Sequence, residues 1–366
     1  PQEPVLRFRH KLYRQSLYEH MILLRRRSWH RRIAEVLAAE PNPDPDVVAR
    51  HFSEAGDPRA AEWLIASGRR AAGAFALAVT AARFEKALAI LEGDDQRQRE
   101  RAWLLCELAE AYRFTDPQRA IAYLDNAQRI ADELGDEGLQ TVIPYCKARV
   151  RTLEARNAFA ELRESWRGIE GLPESTRHVL AGSPLAYAVS RATYAQVLAH
   201  YGAYGPALEH AERFLEESPS ADPREQGTAY FAIGLANAGL ARPSEARAAF
   251  DRARTFFRQT ETYHMVGATY DWELDLVLQV YYPDRVEERR RLLDDAARAW
   301  RHSVFGALVP PDSFPTMIDS LLLEGRWEEA RASATAFLSA NAQPLGMRRI
   351  LADLDRRQGD TARAWA

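Results

Sequence analysis

The sequence is poor in cysteine and lysine. It contains two cysteines, Cys106 and Cys146, and only three lysines in 366 residues. Two cysteines are too few for a disulfide-stabilised scaffold, and neither belongs to a CxxC pair of the kind that ligates zinc. We therefore predict two buried thiols, a reducing cytoplasmic setting, and no metal or cofactor.

Long apolar segments are also missing. No run of 18 apolar residues occurs, and the first 15 residues lack the apolar stretch of a secretion signal. We therefore expect no membrane-spanning helix. The chain does not begin with methionine, and its last eight residues stop in the middle of a helical pattern. We accordingly expect a fragment of a longer protein, truncated at its C-terminus.

The chain as a whole has no large excess of positive or negative charge, but its first residues are strongly basic. The formal net charge is −3, which gives no general attraction for polyanions. Residues 1–32, however, contain nine Lys and Arg against two Glu. Within this segment, RRRSWHRR supplies the candidates for an interdomain or anionic contact: Arg25, Arg26, Arg27, Arg31 and Arg32. Trp29 lies among them and offers a ring for base stacking, so a nucleic-acid contact is an alternative.

What is present is a recurring spacing of small residues. Gly234 and Ala246 are twelve residues apart, Pro243 interrupts the helical pattern between them, and Phe250 and Ala253 follow at helical intervals. The same spacing separates Gly68 from Thr80, Ala148 from Ala160, Ala195 from Ala207, and Ala352 from Ala364. Two units vary the rule: Ala109 and Ala120 are eleven apart, and Ile318 replaces the small residue before Ala330. Small residues at these intervals predict closely packed helical hairpins, and hence an all-α fold.

This pattern resembles the tetratricopeptide repeat. The resemblance covers residues 57–366 and implies a right-handed superhelix of helical hairpins whose inner helices line a concave groove. The alanines at 120, 160, 207 and 246 are separated by 40, 47 and 39 residues, whereas the family repeats every 34 or so. We therefore expect longer helices and linkers than in an ideal array. An unrelated helical bundle with coincidental spacing is the alternative.

The expected groove provides candidate ligand contacts beside the small residues. They combine aromatic, cationic and amide groups, which suit a peptide or a polar metabolite: Tyr145, Arg149, Gln196, His200, Phe231 and Asn237. Arrays of this kind position side chains for recognition without chemistry of their own. We therefore expect a scaffold that binds a protein segment or a small-molecule inducer, and not an enzyme.

The first 56 residues differ from the repeats. Phe8, His10, Leu12 and Arg14 form the pattern FxHxLxR, and the proline-rich PNPDPD precedes VVARHFSEAGDPRAAEWL. In this last stretch we expect a helix, a Gly-Asp-Pro turn and the start of the first repeat. Residues 5–90 resemble the junction between a winged-helix segment and tetratricopeptide-like repeats in bacterial signal-transduction ATPases of the STAND class. LuxR-type, SARP-type and cyclase-linked regulators have this architecture. Trp29 departs from the pattern, which more usually has leucine there.

This second resemblance implies two domains: the helical tail of a winged helix over residues 1–56 and the repeat array over residues 57–366. It also implies an upstream ATPase domain of the same chain, against which the arginines pack. The sequence itself contains no GxxxxGK[ST] phosphate-binding loop. We therefore predict the sensor arm of a regulator of transcription or signalling. A stand-alone adaptor that joins proteins is the alternative.

Two further patterns point to chemistry less directly. His10, His20 and His30 are ten residues apart, a spacing that does not group ligands on one helix face, so structural roles are favoured. Asp271 and Asp275 are one helical turn apart, as paired carboxylates for acid–base work or cation binding would be. The spacing alone favours a solvated helical face.

Overall fold

The computed structural model describes residues 11–152, 158–181, 183–303 and 315–340, together with 351–352, 354–356 and 359. Throughout these residues the regular structure is helical, which confirms the predicted all-α class. Among the described helices, none has the length and hydropathy needed to cross a bilayer. The predictions that involve Phe8, His10 and Ala364 concern residues outside the described ranges.

Contacts divide the chain into two compact units, Pro1–Ala186 and Tyr187–Ala366. The first unit begins with three helices that precede the repeats: α1 Lys11–Glu19, α2 Leu23–Ala38 and α3 Pro45–Ala55. Its hairpins are formed by α4 Ala60–Gly73 with α5 Leu77–Leu91, α6 Gln98–Tyr112 with α7 Pro117–Leu134, and α8 Glu137–Thr152 with α9 Ala158–Glu170. The short helix α10 Glu174–Leu180 follows, and a second short helix, α11 Pro184–Ala188, crosses the unit boundary after Ala186.

The second unit repeats the hairpin arrangement. Its pairs are α12 Arg191–His200 with α13 Tyr204–Glu217, and α14 Pro223–Gly239 with α15 Pro243–Gln259. In the next pair, α16 Tyr263–Glu273 continues through a π-helical turn, Leu274–Leu278, into α17 Gln279–Tyr281 and then packs against α18 Val286–His302. The last pair is α19 Pro315–Leu323 with α20 Trp327–Ala340.

Glycine-to-ring contacts hold two of the hairpins tightly together. A Cβ built on Gly234 in α14 would lie 2.5 Å from the Phe250 ring in α15, and one built on Gly68 in α4 would lie 2.4 Å from the Phe84 ring in α5. Since real Cβ atoms do not come so close, only glycine fits where these helices cross. The predicted pairing of a small residue with the later aromatic residue is confirmed in both hairpins.

The start of the array also follows the sequence pattern. The Asp44 side chain caps α3 by accepting a hydrogen bond from the Asp46 amide at 3.0 Å. The helix ends at Gly56, whose φ of 65° lies in the left-handed region, and α4 begins after Asp57 and Pro58. The predicted helix, Gly-Asp-Pro turn and first repeat are therefore confirmed. The winged-helix identity of α1 and α2 and the domain boundary after residue 56 stay predictions.

The long interval between Ala160 and Ala207 has a structural cause. It contains α10 and α11, two short helices that lie between the third hairpin and α12. Thr176 of α10 packs closely on α8, since a Cβ built on Gly138 would lie 2.8 Å from its side chain. The extra residues thus form an ordered connector that packs on a preceding hairpin.

Candidate functional site

The first helices of the hairpins in the first unit are joined by arginine–carboxylate pairs. Nη2 of Arg69 in α4 lies 2.6 Å from Oε1 of Glu107 in α6, whose side chain is only 2% exposed. Nη1 of Arg149 in α8 lies 2.9 Å from Oε2 of Glu110, also in α6. Although burial opposes it, the guanidinium groups of Arg113 and Arg149 hold the pKa of Glu110 below its ordinary value. These pairs fix α4, α6 and α8 relative to one another.

Tyr145 and Arg149, two of the predicted groove residues, are buried in this region. The Tyr145 ring packs 5.6 Å from the ring of Trp166 in α9. Arg149 is 2% exposed and is engaged by Glu110. Their predicted role as ligand contacts stays a prediction. Cys106 and Cys146 are buried free thiols, as predicted, and burial is the main cause that raises the pKa of each.

In the second unit the structure brings two of the predicted residues together. The His200 ring at the end of α12 lies 6.0 Å from the Phe231 ring of α14 and 5.2 Å from the ring of Trp272 in α16. His200 is exposed, whereas Phe231 is buried. Gln196 is half-buried one turn before His200, and Asn237 is buried near the end of α14. An aromatic cluster therefore joins the first helices of three successive hairpins.

The aspartates of DWELD do not form a solvated helical face, contrary to the interpretation that their spacing favoured. Asp271 and Asp275 are both half-buried, and Oδ2 of Asp271 accepts a hydrogen bond from Nε1 of Trp300 at 2.8 Å. Asp275 lies in the π-helical turn, a feature frequent at functional sites. Burial and the charges of Asp319 and Asp271 raise the pKa of Asp275 to about 7. The sequence could not reveal this, because Asp319 comes from a different hairpin.

Two clefts open between helices of the first unit. One, of about 850 Å³, lies between α3 and α5 and has lining side chains of both charges, including Arg83 and Asp46, which pair at 3.0 Å. The other, of about 490 Å³, is formed by α4, the start of α6 and α10. Its lining includes Ile65, Arg69, Trp103, Glu107, Val179 and Leu180. Spacing rules did not find the second cleft, since its third wall is the connector helix.

The surface of α1 and α2 is unusually apolar. Ten of the seventeen large hydrophobic side chains exposed in the described ranges lie between residues 12 and 36. The most exposed are Leu12, Leu24 and Ile22, at 77%, 75% and 73%. We use the name junction face for the exposed aliphatic side chains of α1, α2 and the link between them: Leu12, Leu17, Ile22, Leu23, Leu24, Ile33 and Val36. Scattered exposed hydrophobics are normal, but this concentration is typical of an interaction surface.

The predicted arginine cluster borders the junction face, and several of its members have partners. Arg26 donates from Nε to the Met21 carbonyl at 3.1 Å and lies over the Tyr18 ring. Arg31 pairs with Asp57 at 3.0 Å, and Arg32 lies 5.4 Å from the Trp29 ring. Arg25 and Arg27 are exposed. The cluster thus combines intramolecular contacts with exposed positive charge.

Asp57 links α2 to the repeats. Its side chain is 6% exposed, forms an ion pair with Arg31 of α2 at 3.0 Å, and accepts a hydrogen bond from Arg59, at the start of α4, whose Nη2 is 2.8 Å away. The hydrogen bond from Arg59, opposed by burial, holds the pKa of Asp57 below its ordinary value. Because this buried carboxylate is bound by an arginine from each side, it holds α2 against the start of α4.

A histidine pair lies beside the same junction. Nδ1 of His30 in α2 is 2.7 Å from Nδ1 of His51 in α3, and Nε2 of His30 is 2.9 Å from the hydroxyl of Tyr18. One of the two facing nitrogens must donate and the other accept, so the contact requires a neutral imidazole. Burial, reinforced by His30 and Arg50, lowers the pKa of His51. Among the histidines spaced ten residues apart, His20 is hydrogen-bonded to the Ser16 carbonyl and not to the pair.

Comparison with known proteins finds similarity in structure but not in sequence families. No protein-family model matches the chain, and no curated protein matches it. The chain is similar to the crystal structure of a signal-transduction ATPase with numerous domains that carries a tetratricopeptide-repeat sensor, from Pyrococcus horikoshii. The identity is 15% and the TM-score 0.46, over 95% of this chain and 57% of that chain. The chain therefore spans little more than half the length of that neighbour.

Proposed function

We propose that this chain is the cytoplasmic sensor arm of a signal-transduction ATPase that regulates transcription or signalling. The observation that carries the proposal is the junction face at the start of a hairpin array. An array binds a protein segment or a small inducer, and the junction face docks the array onto another domain of the same protein. In this function the array recognises a ligand and performs no chemistry.

The composition of the junction face favours a protein interface over nucleic acid. Its seven members are all aliphatic, as in the apolar core of protein–protein contacts, whereas nucleic-acid surfaces depend on phosphate contacts from free cations. Arg26 and Arg31 already have partners within the chain, and the Arg32 guanidinium lies 5.4 Å from the centroid of the exposed Trp29 ring. Nucleic-acid contact is therefore the weaker of the two functions for this segment.

The junction offers a route from the array to the docked domain. Asp57 ties α2 to α4, and α4 is tied through Arg69 and Glu107 to α6. A ligand that binds between α4 and α6 in only one of their arrangements would shift the position of α2 and hence of the junction face. The arm would act as a regulator because the ligand contacts the two arrangements differently. A long distance between the two sites would not be sufficient.

The test uses the complete protein from which this chain comes. We expect its reading frame to contain a phosphate-binding loop within a few hundred residues before Pro1, and the purified protein to hydrolyse ATP. Leu24→Glu places a charge in the junction face and should change the ATPase rate at least about fivefold, the usual scale of coupling between sites. Val79→Glu, at an exposed aliphatic position of α5, is the matched control and should leave the rate unchanged.

The absence of that loop would remove the ATPase assignment and favour a stand-alone adaptor. If the loop is present but Leu24→Glu and the control behave alike, the junction face is not the docking surface. Salt-sensitive binding of single-stranded DNA or RNA that Leu24→Glu does not affect would instead favour the arginines as a nucleic-acid contact.

A further inference from the structure

We propose that Tyr18, His30 and His51 form a proton-sensitive latch that holds α1 against α2 and α3. The three side chains come from three successive helices and are joined by two hydrogen bonds. The inference rests on the proposed function, because α1 carries part of the junction face, and it adds a means of regulating that face.

Apolar burial contributes little to the attachment of α1. Every side chain that the structure describes in this helix is exposed, including Leu12 at 77% and Leu17 at 61%. Burial of apolar surface is normally the main force that packs helices together. The polar contacts of Tyr18, next to the last residue of the helix, therefore matter more for the position of α1.

These polar contacts run from α1 to α3 without a break. The Tyr18 hydroxyl lies 2.9 Å from Nε2 of His30, and Nδ1 of His30 lies 2.7 Å from Nδ1 of His51. The Arg26 guanidinium lies 5.1 Å from the centroid of the Tyr18 ring and supports the same side chain. With both imidazoles neutral, each hydrogen bond has one donor and one acceptor.

The latch accommodates one added proton but not two. A single imidazolium can donate to the other imidazole, so the contact between His30 and His51 survives the first protonation. When both rings are charged, both facing nitrogens carry hydrogens and two positive charges meet at hydrogen-bond distance. A half-turn of the His30 ring would relieve this repulsion, but it would also place a carbon where Nε2 faces the Tyr18 hydroxyl. Acid should therefore release α1.

The surroundings of the pair favour opening in acid. Burial is the main cause that lowers the pKa of His51, and the charges of His30 and Arg50 lower it further, whereas Glu54 opposes them. A lowered pKa means that the closed latch is fully stable above the ordinary value of 6.5 and is weakened as the pH falls below it. The sign agrees with the hydrogen-bond geometry.

The experiment follows the distance between α1 and α5 in the 366-residue chain. Donor and acceptor dyes are attached to Gln15→Cys and Val79→Cys, two exposed positions, while the native cysteines are buried and should stay unlabelled. Single-molecule energy transfer then gives the fraction of molecules in which α1 has moved away. We expect this fraction to rise at least about threefold between pH 7.5 and pH 5.

Variants separate the latch from general acid loosening. Tyr18→Phe keeps the ring but removes the hydroxyl, so α1 should already be displaced at pH 7.5 and respond little to acid. In His51→Gln the amide oxygen can accept from His30 in either charge state, so α1 should stay in place at pH 5. His20→Gln, which alters a histidine outside the latch, is the matched control and should respond as the wild type.

An unchanged distance between pH 7.5 and pH 5 would overturn the proposal. So would a closed Tyr18→Phe variant at pH 7.5, or a His51→Gln variant that opens in acid as the wild type does. Circular dichroism at pH 5 should show an intact array, and a general loss of helix would also contradict a local latch. None of these results touches the ATPase assignment, which depends on the phosphate-binding loop and on Leu24→Glu.

Discussion

One acidic site in each unit shows how differently the same scaffold can hold a carboxylate. In the first, Glu107 and Glu110 of α6 are each bound by an arginine from a neighbouring hairpin. In the second, Asp275 lies among like charges from Asp271 and Asp319, although the adjacent Glu273 is bound by Arg254 at 2.5 Å. The same helical scaffold therefore supports a charge-matched acid at Glu110 and an electrostatically strained one at Asp275. Protonation of these two acids should consequently change stability in opposite directions.

The largest expected effect comes from breaking a matched pair. Arg149→Met keeps much of the aliphatic volume but leaves Glu110 with only Arg113 as a partner, so the free energy of unfolding should fall by about 3 kcal/mol. Arg151→Met removes an arginine from an exposed pair with Glu161 and should cost less than about 0.5 kcal/mol. Urea titration of both variants measures the difference. Equal losses would show that burial of the pair does not matter.

Replacing Asp275 in the second unit should increase the free energy of unfolding instead of lowering it. Because the pKa of Asp275 is raised to about 7 from an ordinary value of 3.8, its contribution to stability is full below pH 4 and is lost as the pH rises through 7. Asp275→Asn should therefore raise the free energy of unfolding by about 1–2 kcal/mol at pH 8 and have little effect at pH 4. The exposed Asp284→Asn is the control. A uniform gain at both pH values would contradict this explanation.

The smallest effect concerns the histidine pair of the first unit. Since the pKa of His51 is lowered, its neutral form stabilises the fold above the ordinary value of 6.5, and that contribution is lost as the pH falls below it. The free energy of unfolding of the wild type should fall between pH 7 and pH 5. In His51→Gln, which keeps a hydrogen-bonding group, that fall should be smaller by about 0.5–1 kcal/mol. Amide hydrogen exchange in α2 and α3 measures this locally. His20→Gln is the control, and an equal change in exchange would refute the role of the pair.

The sequence was informative where local spacing determines structure. Gly68, Gly234 and their ring partners are close in sequence, so their contact follows from helix geometry and a short turn. Proline and Gly-Asp-Pro signals predicted the helix ends around Gly56 for the same reason. Hairpins, fold class and the start of the array were therefore predictable.

The candidate sites depend on the rotation of each helix and on contacts between hairpins, which residue spacing does not determine. The rotation of each helix about its axis decides that Tyr145 and Phe231 are buried while His200 is exposed, and no repeat rule specifies that rotation. The environment of Asp275 depends on Asp319, which lies in another hairpin. Connector helix α10 was missed because seven residues are too few for a clear helical period.

That connector shows how a solenoid can gain a cavity without altering its hairpins. Lengthening one link leaves every glycine-to-ring contact in place, while the inserted turn supplies a third wall to a space that two helices alone would leave open to solvent. Val179 lies in this connector and is exposed, so its replacement should leave the hairpin contacts intact. The connector can therefore change the shape of the cleft while the hairpins keep the fold.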